Sequence, residues 1–153
     1  MSLQLPTIGW LIPNAYVFIE ISSLTAPTSD HRSPTRPVTF SAGRHRPSWF
    51  DIRTLPPGHD EWDEANIVSS IAYVESLIQA EVHRGADPHR IILMGFSQGA
   101  ALSFLVALKT KHELGGVISL SGWIPHKGRE VSHNRTVPSA MSAQTISCSK
   151  SLS

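Results

Sequence analysis

One cysteine, Cys148, stands in 153 residues, so no disulfide can form within the chain and a packed core must hold it together. A reducing, cytoplasmic setting fits that usage best, with the nucleus as a second compartment. Charge is also sparse. Only 16% of residues are charged and the net charge is +1, which gives no electrostatic basis for binding nucleic acid or an anionic membrane. Long apolar runs are missing too. The stretch Ile8–Ile19 is interrupted by Pro13 and Asn14 and is too short to span a bilayer, so no integral membrane segment is expected. No basic residue precedes Arg32, so that stretch lacks the charged start of a signal peptide. No Cys/His cluster has metal-ligand spacing, and neither a metal nor an organic cofactor is implied. The one local excess of charge lies in residues 31–50, which contain Arg32, Arg36, Arg44 and Arg46 and no acid. Without glycine-rich or helix-start geometry, this reads as a solvated loop rather than a phosphate site.

What is present suffices for one domain. Apolar residues make up 41% of the chain, and 153 residues can bury a core, although the length is short for a full doubly wound sheet. Tyr16-Val17-Phe18-Ile19 is a β-branched and aromatic run expected to form a buried strand. From Glu20 to about Asp60 the chain is rich in Pro, Ser, Thr and Arg and reads as one long loop. Ile67, Ile71, Val74, Ile78 and Val82 then recur at helical spacing within a helix predicted over 62–84, with Asp60, Glu61, Asp63 and Glu64 at its start and Gly85 past its end. A strand over 90–94, an apolar helix from Gln98 to His112 and a strand over 117–121 follow, the alternation of a parallel sheet flanked by helices. Residues 131–153 include seven serines and no aromatic residue, which predicts a disordered tail.

The most specific motif is Gly95-Phe96-Ser97-Gln98-Gly99, set between the apolar run Ile91–Met94 and the helical pattern starting at Ala100. This is a G-x-S-x-G nucleophile elbow in its strand–turn–helix context. The glycines are needed because the serine must occupy a sharp, strained turn that bulky neighbours would obstruct. The hydroxyl of Ser97 then stands above a helix N-terminus, where backbone N–H groups can stabilise an oxyanion.

Four segments taken together resemble acyl-protein thioesterases, of the phospholipase/carboxylesterase group of α/β-hydrolases. They are Pro34–Thr39, Pro47–Ile52, Arg90–Gly99 and Leu120–Pro125, within a match running from about Pro34 to Lys127. The resemblance implies a cytosolic serine hydrolase acting on fatty-acyl thioesters of protein cysteines (depalmitoylation) and on simple carboxylic esters. By the same resemblance Ser97 matches the nucleophile, and Gln98 matches the residue whose backbone N–H is an oxyanion donor. Trp49 and Trp123 match parts of the acyl-site wall, with plain core packing as the other reading of both.

The chain also departs from the family pattern. It has no His-Gly dipeptide, which in the family belongs to a segment supplying a second oxyanion donor. Residues 20–33 look like an insertion between the first strand and Pro34. The α/β-hydrolase order is Ser, then Asp or Glu, then His, yet no aspartate follows Ser97. Glu113 closes the helix behind the elbow, far from Ser97, whereas Glu130 and His133 form an acid–base pair in the right order without a strand to hold them. The expectation is a partial α/β-hydrolase fold lacking N-terminal and C-terminal parts, a single incomplete domain over 1–130 followed by the tail. Activity of this chain is expected to be impaired. The alternative is a non-catalytic remnant that binds acyl chains or partners. Exposed sheet edges imply self-association.

Overall fold

The computed structural model describes residues 16–21, 29–58, 61–124, 127–128 and 144–146. The apolar stripe predicted for the first helix forms α1, Glu64–His83, in which Ile67, Ile71, Val74 and Ile78 are buried. Asp63 caps its start by accepting the Asn66 N–H at 3.3 Å, which satisfies one donor that a helix start leaves unpaired. A tight turn at Pro88–Arg90 leads into β5, Ile91–Phe96, where Ile91, Leu93 and Gly95 are buried and the intervening residues are half-buried. Helix α2, Gln98–Lys109, follows directly, and β6, Gly116–Leu120, returns parallel to β5.

The region read as one long loop holds more regular structure than expected. β1, Tyr16–Ile21, and β2, Ser29–Arg32, pair antiparallel. β3, Thr35–Val38, and β4, Arg44–Pro47, form a separate two-stranded ribbon. Short strands joined through turns are hard to read where Pro and Ser break the alternation. The supposed insertion over 20–33 thus contributes the end of β1 and all of β2, with residues 22–28 outside the described set. Three residues of the tail are described. β7, Gln144–Ile146, lies beside β6 in parallel register, and the rest of residues 131–153 falls outside the described residues.

The main sheet has the order β2-β1-β5-β6-β7. Parallel pairing holds from β5 to β7, whereas β1 runs antiparallel to β5. The parallel rule governs strands joined by one helical crossover, as β5 and β6 are through α2. Between β1 and β5 the chain makes a hairpin, a ribbon and a long loop before α1, so no single crossover sets the direction of β1.

One contiguous core joins these parts. Ile67, Val74 and Ile78 of α1 meet Leu102, Leu105 and Val106 of α2 over Ile91, Leu93 and Val117 of the sheet. Trp49, Phe50 and Ile52, from the segment after β4, complete the cluster. Replacing Ile78, which is fully buried, by alanine should cost about 2–5 kcal/mol through lost transfer energy and a residual cavity. The change Val68→Ala, at a half-exposed position of the same helix, should cost no more than about 0.5 kcal/mol. Urea unfolding of the two variants checks both values.

Candidate active site

Ser97 sits between the end of β5 and the start of α2 with φ 50° and ψ −113°. An L-residue rarely adopts this backbone, and holding it there costs about 1–3 kcal/mol. Two hydrogen bonds hold it in place. The Ser97 N–H donates to the Leu120 carbonyl at 2.8 Å, tying the elbow to the end of β6, and the Ser97 carbonyl accepts from Ala101 N–H at 3.1 Å. The motif glycines let strand and helix meet. A Cβ placed on Gly95 would lie 2.3 Å from the carbonyl of Gly99, so neither backbone could keep its position. The elbow geometry read from the motif is therefore present, with Ser97 half-buried at the C-terminal end of β5.

As the first residue of α2, Gln98 carries an N–H with no acceptor inside the helix, in the field of the helix N-terminus. Its side chain performs a task that sequence reasoning missed. Buried at the elbow, the Gln98 amide accepts the Trp49 N–H on Oε1 at 2.7 Å and donates from Nε2 to the Phe50 carbonyl at 2.6 Å. The Ser48 hydroxyl, which donates to the Phe50 carbonyl, lies 3.1 Å from the same Oε1. From the other side, Ser70 of α1 donates to the Trp49 carbonyl at 2.6 Å. The segment 48–50 is thus clamped between the two helices. A glutamine inside a catalytic motif offers a backbone donor to sequence reasoning, and its fifty-residue side-chain reach has no local signal.

Beside Ser97 lies a cavity of about 380 Å³. Val38, Ile52, Leu55, Pro56 and Trp123 supply apolar wall, while Ser97, Gln98 and Ser121 bring polar atoms to the elbow end. Phe40, on the turn after β3, and Leu55 are both exposed at its rim. Trp123 is half-buried and meets Phe50 edge-on, with ring centroids 6.0 Å apart. Trp49, in contrast, does not line this cavity. It is fully buried in the core and its ring packs against Tyr73 at 6.1 Å. This placement agrees with core packing, the other reading of Trp49, whose backbone is held by Gln98 and Ser70.

The acid and base candidates are separated from Ser97. Glu113 pairs with His89 at 3.7 Å, before the start of β5 and so at the opposite end of that strand from the elbow. Glu130 and His133 fall outside the described residues, as does His126. Among the described residues no histidine lines the cavity. A second cavity, about 430 Å³, contains Asp51, Glu61 and Asp63, but these carboxylates are engaged in structure. Asp51 accepts from Thr39 N–H at 2.7 Å, Asp63 from Asp51 N–H at 2.7 Å and Glu61 from Thr54 N–H at 2.7 Å. Among the described residues no group of His, Cys, Asp and Glu could hold a metal ion. Arg36, on β3, is pushed below its ordinary value by burial, an effect that the nearby Asp63 carboxylate partly offsets.

The change Gln98→Leu keeps the volume but strands the buried Trp49 N–H, at a cost of about 1–3 kcal/mol, and leaves the Phe50 carbonyl with the Ser48 hydroxyl as its donor. Guanidinium unfolding should show a loss of about 1–3 kcal/mol. Solvent exchange of the Trp49 amide should accelerate more than that of amides in the middle of α1.

Comparison with known proteins places these features in a family. Residues 30–151 match the phospholipase/carboxylesterase family. Acyl-protein thioesterase 1 of Cryptococcus neoformans is 39% identical over 122 residues, covering 78% of this chain and 44% of that protein. Acyl-protein thioesterase 1 of Yarrowia lipolytica is 38% identical over 104 residues, covering 68% and 46%. This chain therefore spans less than half the length of these two relatives. The crystal structure of Arabidopsis thaliana SOBER1 superposes with a TM-score of 0.56 at 32% identity, covering 61% of this chain and 45% of that one. That of Zea mays acyl-protein thioesterase 2 gives a TM-score of 0.54 at 26% identity, covering 74% and 54%. With its elbow, its partial sheet flanked by helices and this match, the chain belongs to the phospholipase/carboxylesterase family of α/β-hydrolases.

Proposed function

We propose that this chain is the nucleophile-bearing part of an acyl-protein thioesterase-type serine hydrolase. Its substrates would be fatty-acyl thioesters on protein cysteines and simple carboxylic esters, in the cytoplasm and nucleus. The strained placement of Ser97 at the mouth of an apolar cavity carries this reading. Ser97 Oγ attacks the acyl carbonyl, the Gln98 N–H stabilises the oxyanion, and the acyl chain lies along Trp123; the C–S or C–O bond then breaks to release the cysteine thiol or the alcohol, and water hydrolyses the acyl-enzyme to the free acid and Ser97. Support for the substrate class comes from the names of the fungal and maize relatives. Among the described residues no helix is long and apolar enough to cross a membrane.

The step that the described residues leave unprovided is proton removal. A serine hydroxyl is a weak nucleophile near neutral pH unless a base accepts its proton during attack. Losing one oxyanion donor as well costs about 3–4 kcal/mol, roughly two to three orders of magnitude in rate. We therefore expect the 153-residue chain to hydrolyse acyl thioesters and aryl esters no faster than its Ser97→Ala variant, and to resist a fluorophosphonate that labels activated serines. Rapid Ser97-dependent labelling would show that another histidine, such as His126 or His133, serves as base. That outcome sinks the expectation of impaired activity while upholding the serine-hydrolase reading.

A non-catalytic chain that binds acyl groups is the second reading, favoured by the absence of a histidine from the described cavity wall. Self-association belongs to either reading. β2 and β7 are the outer strands of the described sheet, and Ile118 of β6 is 39% exposed. Sedimentation velocity should show concentration-dependent oligomers, and a single monomeric species across the range would overturn this.

A further inference from the structure

We infer that Arg46 makes the cavity beside Ser97 selective for single-chain ligands with a negatively charged head, a carboxylate-ended alkyl chain above all. The inference rests on the reading of that cavity as an acyl site, and it specifies the charge of what the site prefers. In the sequence Arg46 belongs to a basic stretch read as a solvated loop. In the folded chain it is the only charged residue among the described lining residues, which are otherwise apolar or neutral and polar. The cavity is therefore not electrically neutral, and its one full charge is positive.

Three features reinforce that sign. The elbow end of the cavity is the N-terminus of α2, whose unpaired N–H groups carry partial positive charge. Arg46 stands directly across the ribbon from Arg36, and Arg44 across from Val38, so a further cation rather than an acid lies opposite. The nearest acid in sequence, Asp51, faces the other cavity and is engaged by the Thr39 N–H and hydroxyl. Among the described residues Arg46 enters no ion pair. Arg46 is exposed on β4 where it lines the apolar cavity, and its guanidinium is a planar fork that matches a carboxylate. An alkyl chain along Val38, Ile52 and Trp123 with its carboxylate on Arg46 satisfies both surfaces together. An alkylammonium ion of equal length meets like charge from the arginine and the helix end.

Isothermal titration of the full chain with decanoate, 1-decanol and decylamine tests this, since the three probes differ only in the head. Wild-type protein should bind decanoate at least as tightly as decanol, against the greater cost of desolvating a carboxylate, and should bind decylamine weakest. The change Arg46→Gln should weaken decanoate about three- to tenfold and leave decanol unchanged, the range expected for a partly exposed charge pair with a helix-end contribution. Arg46→Lys should keep most of the preference, and Arg44→Gln should leave it intact. Raising salt to about 0.5 M should weaken decanoate alone, because only that contact is screened. Decanoate binding that is unchanged in Arg46→Gln, or wild-type binding of decylamine as tight as decanoate, overturns the inference while decanol binding still upholds the acyl cavity. If none of the three probes binds, both the inference and the acyl-site reading fail.

Discussion

Strand β5 and helix α2 can meet at Ser97 only because no side chain stands between Gly95 and Gly99. A methyl group there would lie 2.3 Å from backbone, so the elbow depends on glycine at this spot as a matter of volume. Once the two backbones touch, Ser97 has no relaxed conformation available and takes up φ 50°. The strain is held by order elsewhere. β6 fixes the serine through the Leu120 carbonyl, and the buried α2 face with Leu102, Leu105 and Val106 anchors the helix against being pushed away. A strained turn of about 1–3 kcal/mol persists only where surrounding packing over-determines it, which is the situation at this junction.

The second constraint radiates from the residue after the serine. The Gln98 side chain holds residues 48–50 against the elbow helix, and Ser70 holds the same residues against α1. That clamp decides which aromatic faces the cavity. With the backbone of Trp49 bonded on both sides, its ring is driven into the core, Phe50 lies against Trp123, and Trp123 is left to line the space beside Ser97. In the proposed mechanism the oxyanion donor and the cavity wall thus depend on one residue, its backbone serving the first and its amide the second. Buried amide networks of this kind are costly when half satisfied, so the pieces are expected to fail together.

The ribbon of β3 and β4 gives the cavity part of its wall and, among the described lining residues, its only charge. Its attachment is largely polar: Thr39 binds Asp51, Asp51 binds Asp63, and Asp63 caps α1. Asp51 and Asp63 of the neighbouring polar cavity are engaged by this chain of contacts, and among the described residues lining the cavity beside Ser97 no carboxylate accompanies Arg46. An apolar site lined by one arginine and a helix N-terminus differs in what it selects from a site that is apolar alone.

Local patterns in the sequence determined a good deal of this. The stripe Ile67-Ile71-Val74-Ile78 marks α1, the apolar run before Gly95 marks β5, and G-x-S-x-G marks the elbow, because each depends on neighbours within a few residues. The position of Glu113 at the wrong end of the sheet was likewise readable, since helical rise alone carries it away from Ser97. Tertiary structure alone decided the antiparallel entry of β1, the ribbon of β3 and β4, and the pairing of β7 with β6. It also decided that Trp49 is core while Trp123 is wall, that the Gln98 side chain is a clamp, and that one arginine of a basic loop lines the cavity. The dividing line is contact range. Periodicity and turn chemistry act between neighbours in sequence, whereas these outcomes are settled by groups far apart along the chain, Val17 against Gly95 and Trp49 against Gln98 among them, whose meeting depends on the whole core.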